Sequence, residues 1–272
     1  MRFLRVVKRL LLLGLVTVTM FCSWMTLRWL TRNSREKQKY WRNRTTRTWA
    51  RGVARVIGMR LVPSGVPPAA PFFLVANHLS YLDIINIASQ LDCVFIAKSD
   101  IAQWPVVGML AKSVDTIFVD RAHFQDIPRV ITRIERAMND GYGIVLFPEG
   151  TSTKGDQVLP FRPGLLEPAA RLGLPVSLAT ISYRTPPQEK PAFLSVCWWG
   201  EMTFLSHFLQ MLRLDSFDAI LKFGDTPFCE TDRKVLARRL WEKASTDFVP
   251  IITDQGVKEV AARNPEYFPA RY

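Results

Sequence analysis

The chain has 272 residues, a formal charge of +12 and a hydrophobic fraction of 48%, with 17 Phe and 8 Trp. That content excludes a disordered chain, and the length allows one sizeable domain with accessories or two small ones. The charge calls for an anionic partner, either nucleic acid or an anionic membrane surface.

Placement of the charge decides between them. The excess is concentrated from Arg28 to Arg60, where Glu36 is the only acid, and the rest of the chain carries mixed signs. A nucleic-acid reader needs basic and aromatic residues interleaved on a folded face. A basic stretch beside an apolar run fits phospholipid headgroups instead, so membrane lipids are expected as partners and nucleic acid is not. Cys22, Cys93, Cys197 and Cys229 are widely separated and are not flanked by the histidines at ligand spacing. No metal site is expected from them, and a reducing compartment is.

Taken in chain order, residues 10–27 carry no charge, with Lys8 and Arg9 before them and Arg28 after. A cleaved signal peptide, a transmembrane anchor and a buried core helix all compete for this run. It is long for a signal sequence and closes on no small-x-small cleavage site, which selects the anchor. Trp24 and Trp29 sit near one end as interfacial aromatics do, and the more basic downstream flank puts the following domain on the cytoplasmic side of the inner membrane. A re-entrant or shallow helix gives the same outcome. Residues 40–59 predict an amphipathic helix, with Trp49, Val53, Val56 and Ile57 on one face and Arg42, Arg44, Arg47, Arg51 and Arg55 over much of the rest. It either lies in the interface with its arginine stems reaching headgroups or packs on the following domain.

A break at Pro63 precedes a buried strand at 72–76, a helix at 81–90, a strand at 94–97, a turn or helix near Trp104 and Gly108, and a strand at 117–119. Then follow a helix at 127–139, a strand at 143–147, a helix at 165–172, strands at 176–181 and 193–199, and a charged helix at 232–247. The segment 198–212 reads as core, as a dimer surface or as a second membrane contact. The expected fold class is α/β, a central mostly parallel or mixed sheet flanked by helices, behind an N-terminal membrane-anchoring helical segment. The corresponding division is residues 1–30 as anchor, 31–65 as a basic amphipathic interfacial region and 66–272 as the main domain.

Three polar clusters stand at predicted strand ends, where α/β folds carry their reactive groups. The first is Asn77-His78-Leu79-Ser80-Tyr81-Leu82-Asp83. Ser80 is placed as an N-cap with Asp83 at N3, from which its carboxylate reaches back along the chain. A carboxylate against one imidazole nitrogen fixes the tautomer and leaves the other nitrogen to take a proton. The same spacing is also that of a capping box, which involves no catalysis. The second cluster is Phe147-Pro148-Glu149-Gly150-Thr151-Ser152-Thr153, rich in hydrogen-bonding groups around a glycine and equally readable as a surface turn. The third, Asp120-Arg121, offers either an anion-binding cation or a surface ion pair.

Together these blocks resemble the glycerolipid acyltransferase family, whose best-known bacterial members acylate lysophosphatidic acid. Asn77, His78 and Asp83 match its Asn-His-x-x-x-x-Asp block; Phe118-Val119-Asp120-Arg121, Phe147-Pro148-Glu149-Gly150-Thr151 and the weaker Leu174-Pro175-Val176 follow in family order. The resemblance spans roughly residues 72–181. It implies an O-acyltransferase with His78 as general base and Asp83 as its orienting partner. Asn77, Arg121, Glu149, Gly150 and Thr151 are then implied in substrate binding, Arg121 at an anionic headgroup and Glu149 at the acceptor or in holding its loop. The acyl donor is a thioester, acyl-CoA or acyl-carrier protein, which is a co-substrate, and no cofactor is required. Backbone N–H groups near Gly150 are candidates for the oxyanion. Where members acting on lysophosphatidic acid carry arginine after Glu-Gly-Thr, this chain has Ser152, and its next basic residue is Lys154. Lysine does not reproduce guanidinium geometry, although Arg121 and Arg162 remain to compensate. Lysophosphatidic acid is thus the first acceptor expected, with lyso-ornithine lipid as the alternative. A non-enzymatic membrane-surface recruitment protein is the reading outside enzymology.

Overall fold

The computed structural model describes residues 2–120 and 127–263. Two long helices open the chain, α1 (Arg2–Leu30) and α2 (Arg35–Ile57). Ser34 caps α2, its hydroxyl accepting from the Lys37 N–H at 3.4 Å, and Gly58 ends it in the left-handed region at φ 79°. A side chain at Gly58 would place its Cβ 2.5 Å from the Asp215 carbonyl oxygen, so only glycine permits the turn into the sheet.

The sheet has seven strands in the order β1-β7-β6-β2-β5-β3-β4. They are β1 (Met59–Ser64), β2 (Phe73–Ala76), β3 (Cys93–Lys98), β4 (Ile117–Val119), β5 (Gly143–Leu146), β6 (Val176–Arg184) and β7 (Phe217–Phe223). Every neighbouring pair is parallel except β6 with β7, so the sheet is mixed. The remaining helices are α3 (Leu82–Ala88), α4 (Val107–Ser113), α5 (Ile127–Asn139), α6 (Pro163–Arg171), α7 (Ala192–Ser195), α8 (Phe204–Met211), α9 (Arg233–Asp247) and α10 (Asp254–Arg263), with a 3-10 turn over Ser99–Gln103. Strands β2 and β5 are buried along their whole length, as continuous apolar runs in the middle of a parallel sheet must be. In α5, Val130 and Ile134 turn inward at helical spacing.

Three sequence expectations need correction. Residues 193–199 are not a strand: α7 and an irregular segment replace it, because a short apolar run, buried here from Phe193 to Cys197, has no period that distinguishes strand from helix. β1 extends through Pro63 and Ser64, which read as a loop; proline is tolerated there because β1 is an edge strand with one unpaired side. β7 went unread because Asp218 and Lys222 interrupt its apolar character. Asp218 lies in the sheet only because Arg60 of β1 and Arg184 of β6 bond it from both neighbours, at 2.7 and 2.9 Å.

Helix α1 is fastened along one face. Near its start the Arg9 guanidinium, buried, donates to the carbonyls of Leu212, Leu214 and Asp215 at 3.1, 2.5 and 2.9 Å. Midway, Trp49 of α2 donates to the Thr17 hydroxyl at 3.2 Å, and near its end Trp24 donates to the Ser113 carbonyl at 2.8 Å. Phe3, Leu4, Leu11, Leu15, Val18, Trp29 and Leu30 stay exposed on it. Among the described residues it is the one helix long and apolar enough to cross a membrane. On α2, Arg42 is buried against the Cys93 and Val114 carbonyls, Arg47 pairs with Asp92, and Arg51 donates to the Ser89 carbonyl. Arg44 and Arg55 remain exposed. The packing alternative for this helix is therefore realised by part of its arginines.

Candidate active site

Strands β2 and β5 are parallel neighbours, paired up to Val75 with Leu146, so the loops that leave them emerge at one edge of the sheet. This adjacency brings the clusters at 77–83 and 147–153 together across some 70 residues of sequence. Asn77 extends the other side of β2. Its amide donates to the Ile181 carbonyl at 3.0 Å and accepts from the Ile181 N–H at 2.7 Å, a side-chain rung added to the ladder with β6.

His78 follows. Its Nδ1 lies 2.7 Å from Asp83 Oδ2, and the same oxygen accepts from the backbone N–H of Leu79 at 2.7 Å and of Ser80 at 3.0 Å. Helix α3 starts one residue later than the capping expectation required, and the Ser80 hydroxyl, buried, has no partner among the described residues. Asp83 thus performs the backward reach of a capping box without the serine half, and adds the imidazole to it. The His78 ring stacks on Phe147, centroids 4.3 Å apart, and its side chain is 22% exposed. Nε2 has no partner among the described residues. An imidazole held at Nδ1 by a carboxylate, with Nε2 accessible, is arranged to take a proton from an incoming hydroxyl.

The Glu149 loop grips the backbone of His78. Glu149 Oε1 accepts the His78 N–H at 2.6 Å and Oε2 the Leu159 N–H at 2.9 Å, while the Thr153 N–H donates to the His78 carbonyl at 3.0 Å. Both Glu149 oxygens are occupied by backbone donors, which makes this side chain a support for the histidine. Burial pushes its carboxyl up to about 7, against the pull of those two N–H groups, and the Asp83 charge adds to the rise. Gly150 turns the loop at φ 76°, and its own N–H is spent on the Phe147 carbonyl at 3.2 Å. Thr151 is exposed beside it. Arg121 lies outside the described residues. Lys154 pairs with Asp156 at 3.1 Å, and Arg162, exposed, ties its backbone N–H to the Pro148 carbonyl at 2.9 Å.

Four participants were not singled out from sequence as site residues. Trp198 bridges the two loops, its backbone N–H donating to the Leu79 carbonyl at 2.8 Å and its carbonyl accepting from the Ser152 hydroxyl at 2.5 Å. Tyr183 of β6 donates its hydroxyl to Asp83 Oδ1 at 2.6 Å. Burial, and then the Asp83 charge, push this phenol well above its ordinary value, so it remains a protonated donor. Tyr81 meets His207 of α8, oxygen to Nδ1 at 3.1 Å, inside a wall of Trp198, Phe204 and Phe208 rings. Burial lowers His207 to about 4, which keeps it neutral at physiological pH. No local pattern marks these residues; they reach the site through strand register and helix packing.

The acyltransferase family profile matches residues 53–183, which contain both loops and β6 up to Tyr183. A lyso-ornithine lipid O-acyltransferase of Brucella abortus (strain 2308) is 33% identical over 213 residues, covering 74% of this chain and 80% of that protein. The chain belongs to the lysolipid acyltransferase family. A 1-acyl-sn-glycerol-3-phosphate acyltransferase of Neisseria meningitidis serogroup B is 29% identical over 175 residues, 64% of this chain and 69% of that one. The crystal structure of the 1-acyl-sn-glycerophosphate (LPA) acyltransferase from Thermotoga maritima shares the fold, with a TM-score of 0.64 at 17% identity over 91% of this chain and 98% of that one. This member is accordingly a membrane-associated enzyme that moves an acyl group from an acyl donor to a lysolipid.

Proposed function

We propose that the acceptor is a lyso-ornithine lipid, acylated on its free hydroxyl, with His78 as general base. His78 Nε2 takes the hydroxyl proton as the oxygen attacks the thioester carbonyl, forming the C–O bond. Asp83 balances the imidazolium charge. The tetrahedral intermediate collapses, the C–S bond breaks, and the thiolate leaves with the proton from His78. A thioester is already a reactive acyl donor, so no acyl-enzyme is needed. The observation that carries the reading is the His78–Asp83 pair at 2.7 Å with Nε2 open.

Two features favour this acceptor over lysophosphatidic acid, the acceptor first expected from the sequence. The likeness to the Brucella protein is higher and longer than that to the Neisseria one. Position 152 is also a serine engaged with Trp198, and Lys154 is engaged with Asp156, so neither offers a guanidinium to a phosphomonoester where Glu-Gly-Thr ends, and the nearest described arginine in this loop is Arg162. Lysophosphatidic acid is the second reading, supported by the Neisseria relative and by Arg121, still available in the sequence. The donor is acyl-CoA or acyl-carrier protein. Gly150 and Thr151 are the parts of the Glu149 loop assigned to the acceptor, whereas Asn77, buried on Ile181, and Glu149 hold the backbone around His78.

In the same reading residues 1–30 anchor the chain in the inner membrane, with the catalytic face on the cytoplasmic side. Residues 31–65 lie at the headgroups through Arg44 and Arg55, and 66–272 form the acyltransferase domain. Purified, detergent-solubilised protein offered lyso-ornithine lipid and lysophosphatidic acid side by side, with labelled acyl donor, tests the proposal. Product from the aminolipid that His78→Ala abolishes is the expected result; product from lysophosphatidic acid alone refutes the acceptor assignment.

A further inference from the structure

Asp83 is fully buried, and no Lys or Arg side chain bonds it among the described residues. Its charge is met by hydrogen bonds alone, distributed unevenly. Oδ2 takes three donors, the imidazole among them, whereas Oδ1 has one, the hydroxyl of Tyr183. A buried anionic oxygen without a donor is expensive, and the Tyr183 hydroxyl is the group that satisfies Oδ1.

The route by which Tyr183 arrives supports a dedicated part. β6 runs past the last β2 pair, Ala76 with Ala179, and there the Asn77 side chain takes over as the next rung at Ile181. Tyr183 stands two residues further on the same strand, so its side chain leaves from the face that Ile181 uses. The residue beside the catalytic histidine therefore fixes the strand segment that delivers the phenol to the histidine's partner. The Tyr183 ring packs edge-on to Phe217, 6.1 Å between centroids, which leaves the hydroxyl little freedom.

We infer that Tyr183 is a positioning residue of the acyl transfer, acting through Asp83 to hold the charge and orientation that make His78 a base. The inference rests on the general-base reading of His78 given above. Its alternative is plain packing, in which the hydroxyl merely satisfies a buried oxygen. The two differ in what pH does, the other titratable groups facing Asp83 being Glu149, raised by burial to about 7, and the buried Cys197 thiol, both unchanged by loss of the hydroxyl. Without the hydroxyl the buried anion is disfavoured, and the pair reaches its working charge state only at higher pH.

The test uses the full-length protein in detergent and compares the wild type with Tyr183→Phe, which keeps the ring against Phe217. In the variant kcat falls about 10- to 100-fold, KM for donor and acceptor stays within about twofold, and the acid limb of the kcat/KM profile moves up by about half a unit or more. The His78 ring resonances, assigned by their loss in His78→Ala, change their titration in parallel. A ring-fluorinated tyrosine at 183, a stronger donor of nearly the same size, moves the acid limb the opposite way. Unchanged kcat and pH profile overturn the inference, as does a fall equal at every pH accompanied by a lower melting temperature. Should the wild type make no His78-dependent product from any lysolipid, the functional reading fails. The His78 titration still decides the Tyr183 contact in that case.

Discussion

Replacing Glu149 by glutamine separates two things that the carboxyl does at once. Burial raises it from 4.5 to about 7, so between those values the unfolded chain sheds a proton that the folded chain retains. The contribution is fully present below about pH 4.5 and is lost as pH rises through 7. A shift of about 2.5 units at roughly 1.4 kcal/mol per unit makes that loss about 3 kcal/mol. Glutamine does not titrate, so the loss disappears. It does carry a fixed cost, because its single oxygen can accept from His78 or from Leu159 but not both, leaving one buried N–H unpaired at about 1–3 kcal/mol. Glu149→Gln is therefore less stable than the wild type by about 1–3 kcal/mol at pH 5, and the gap closes or reverses by pH 8, because the wild type alone loses roughly 2.5 kcal/mol over that range. Urea unfolding in one detergent at both pH values measures it, and groups common to the two proteins cancel in the difference. A gap of the same size at pH 5 and pH 8 would refute the assignment of the titration to Glu149.

Other substitutions read the remaining parts of the site. His78→Ala lowers kcat by about 10²- to 10⁴-fold with little change in melting temperature, checked by product formation and thermal unfolding; residual activity near wild type would remove it as base. Ser152→Ala frees the Trp198 carbonyl and loosens both loops, costing about 1 kcal/mol of stability and raising KM for the acceptor, as steady-state kinetics will show. Arg9→Ala leaves the carbonyls of Leu212, Leu214 and Asp215 without their donor and lowers the urea midpoint by about 2–4 kcal/mol equivalent, while the protein still sediments with membranes. An unchanged midpoint there means that α1 is not fastened as described.

The chemistry was legible in the sequence wherever it is local. His78 and Asp83 are five residues apart on one turn, so the backbone between them dictates that the carboxylate can reach back to the ring. The apolar runs of β2 and β5 announced strands by composition, the first of them buried, and the uncharged stretch within α1 announced itself in the same way. Register and packing across long separations decided the rest. Tyr183 lies 100 residues from Asp83 and meets it only because β6 pairs with β2 in one register; a slip by one residue would turn the phenol to the opposite face. Asp218 belongs to a strand because arginines on two neighbouring strands neutralise it, which no window along β7 reveals. The partners of Glu149 were likewise decided by tertiary structure, where both its oxygens turn to backbone N–H groups, one of them that of His78. Sequence fixes which groups are present and which neighbours share a turn, because those follow from bond geometry; the sheet decides which distant groups share a site, because only pairing and burial bring them within hydrogen-bond reach.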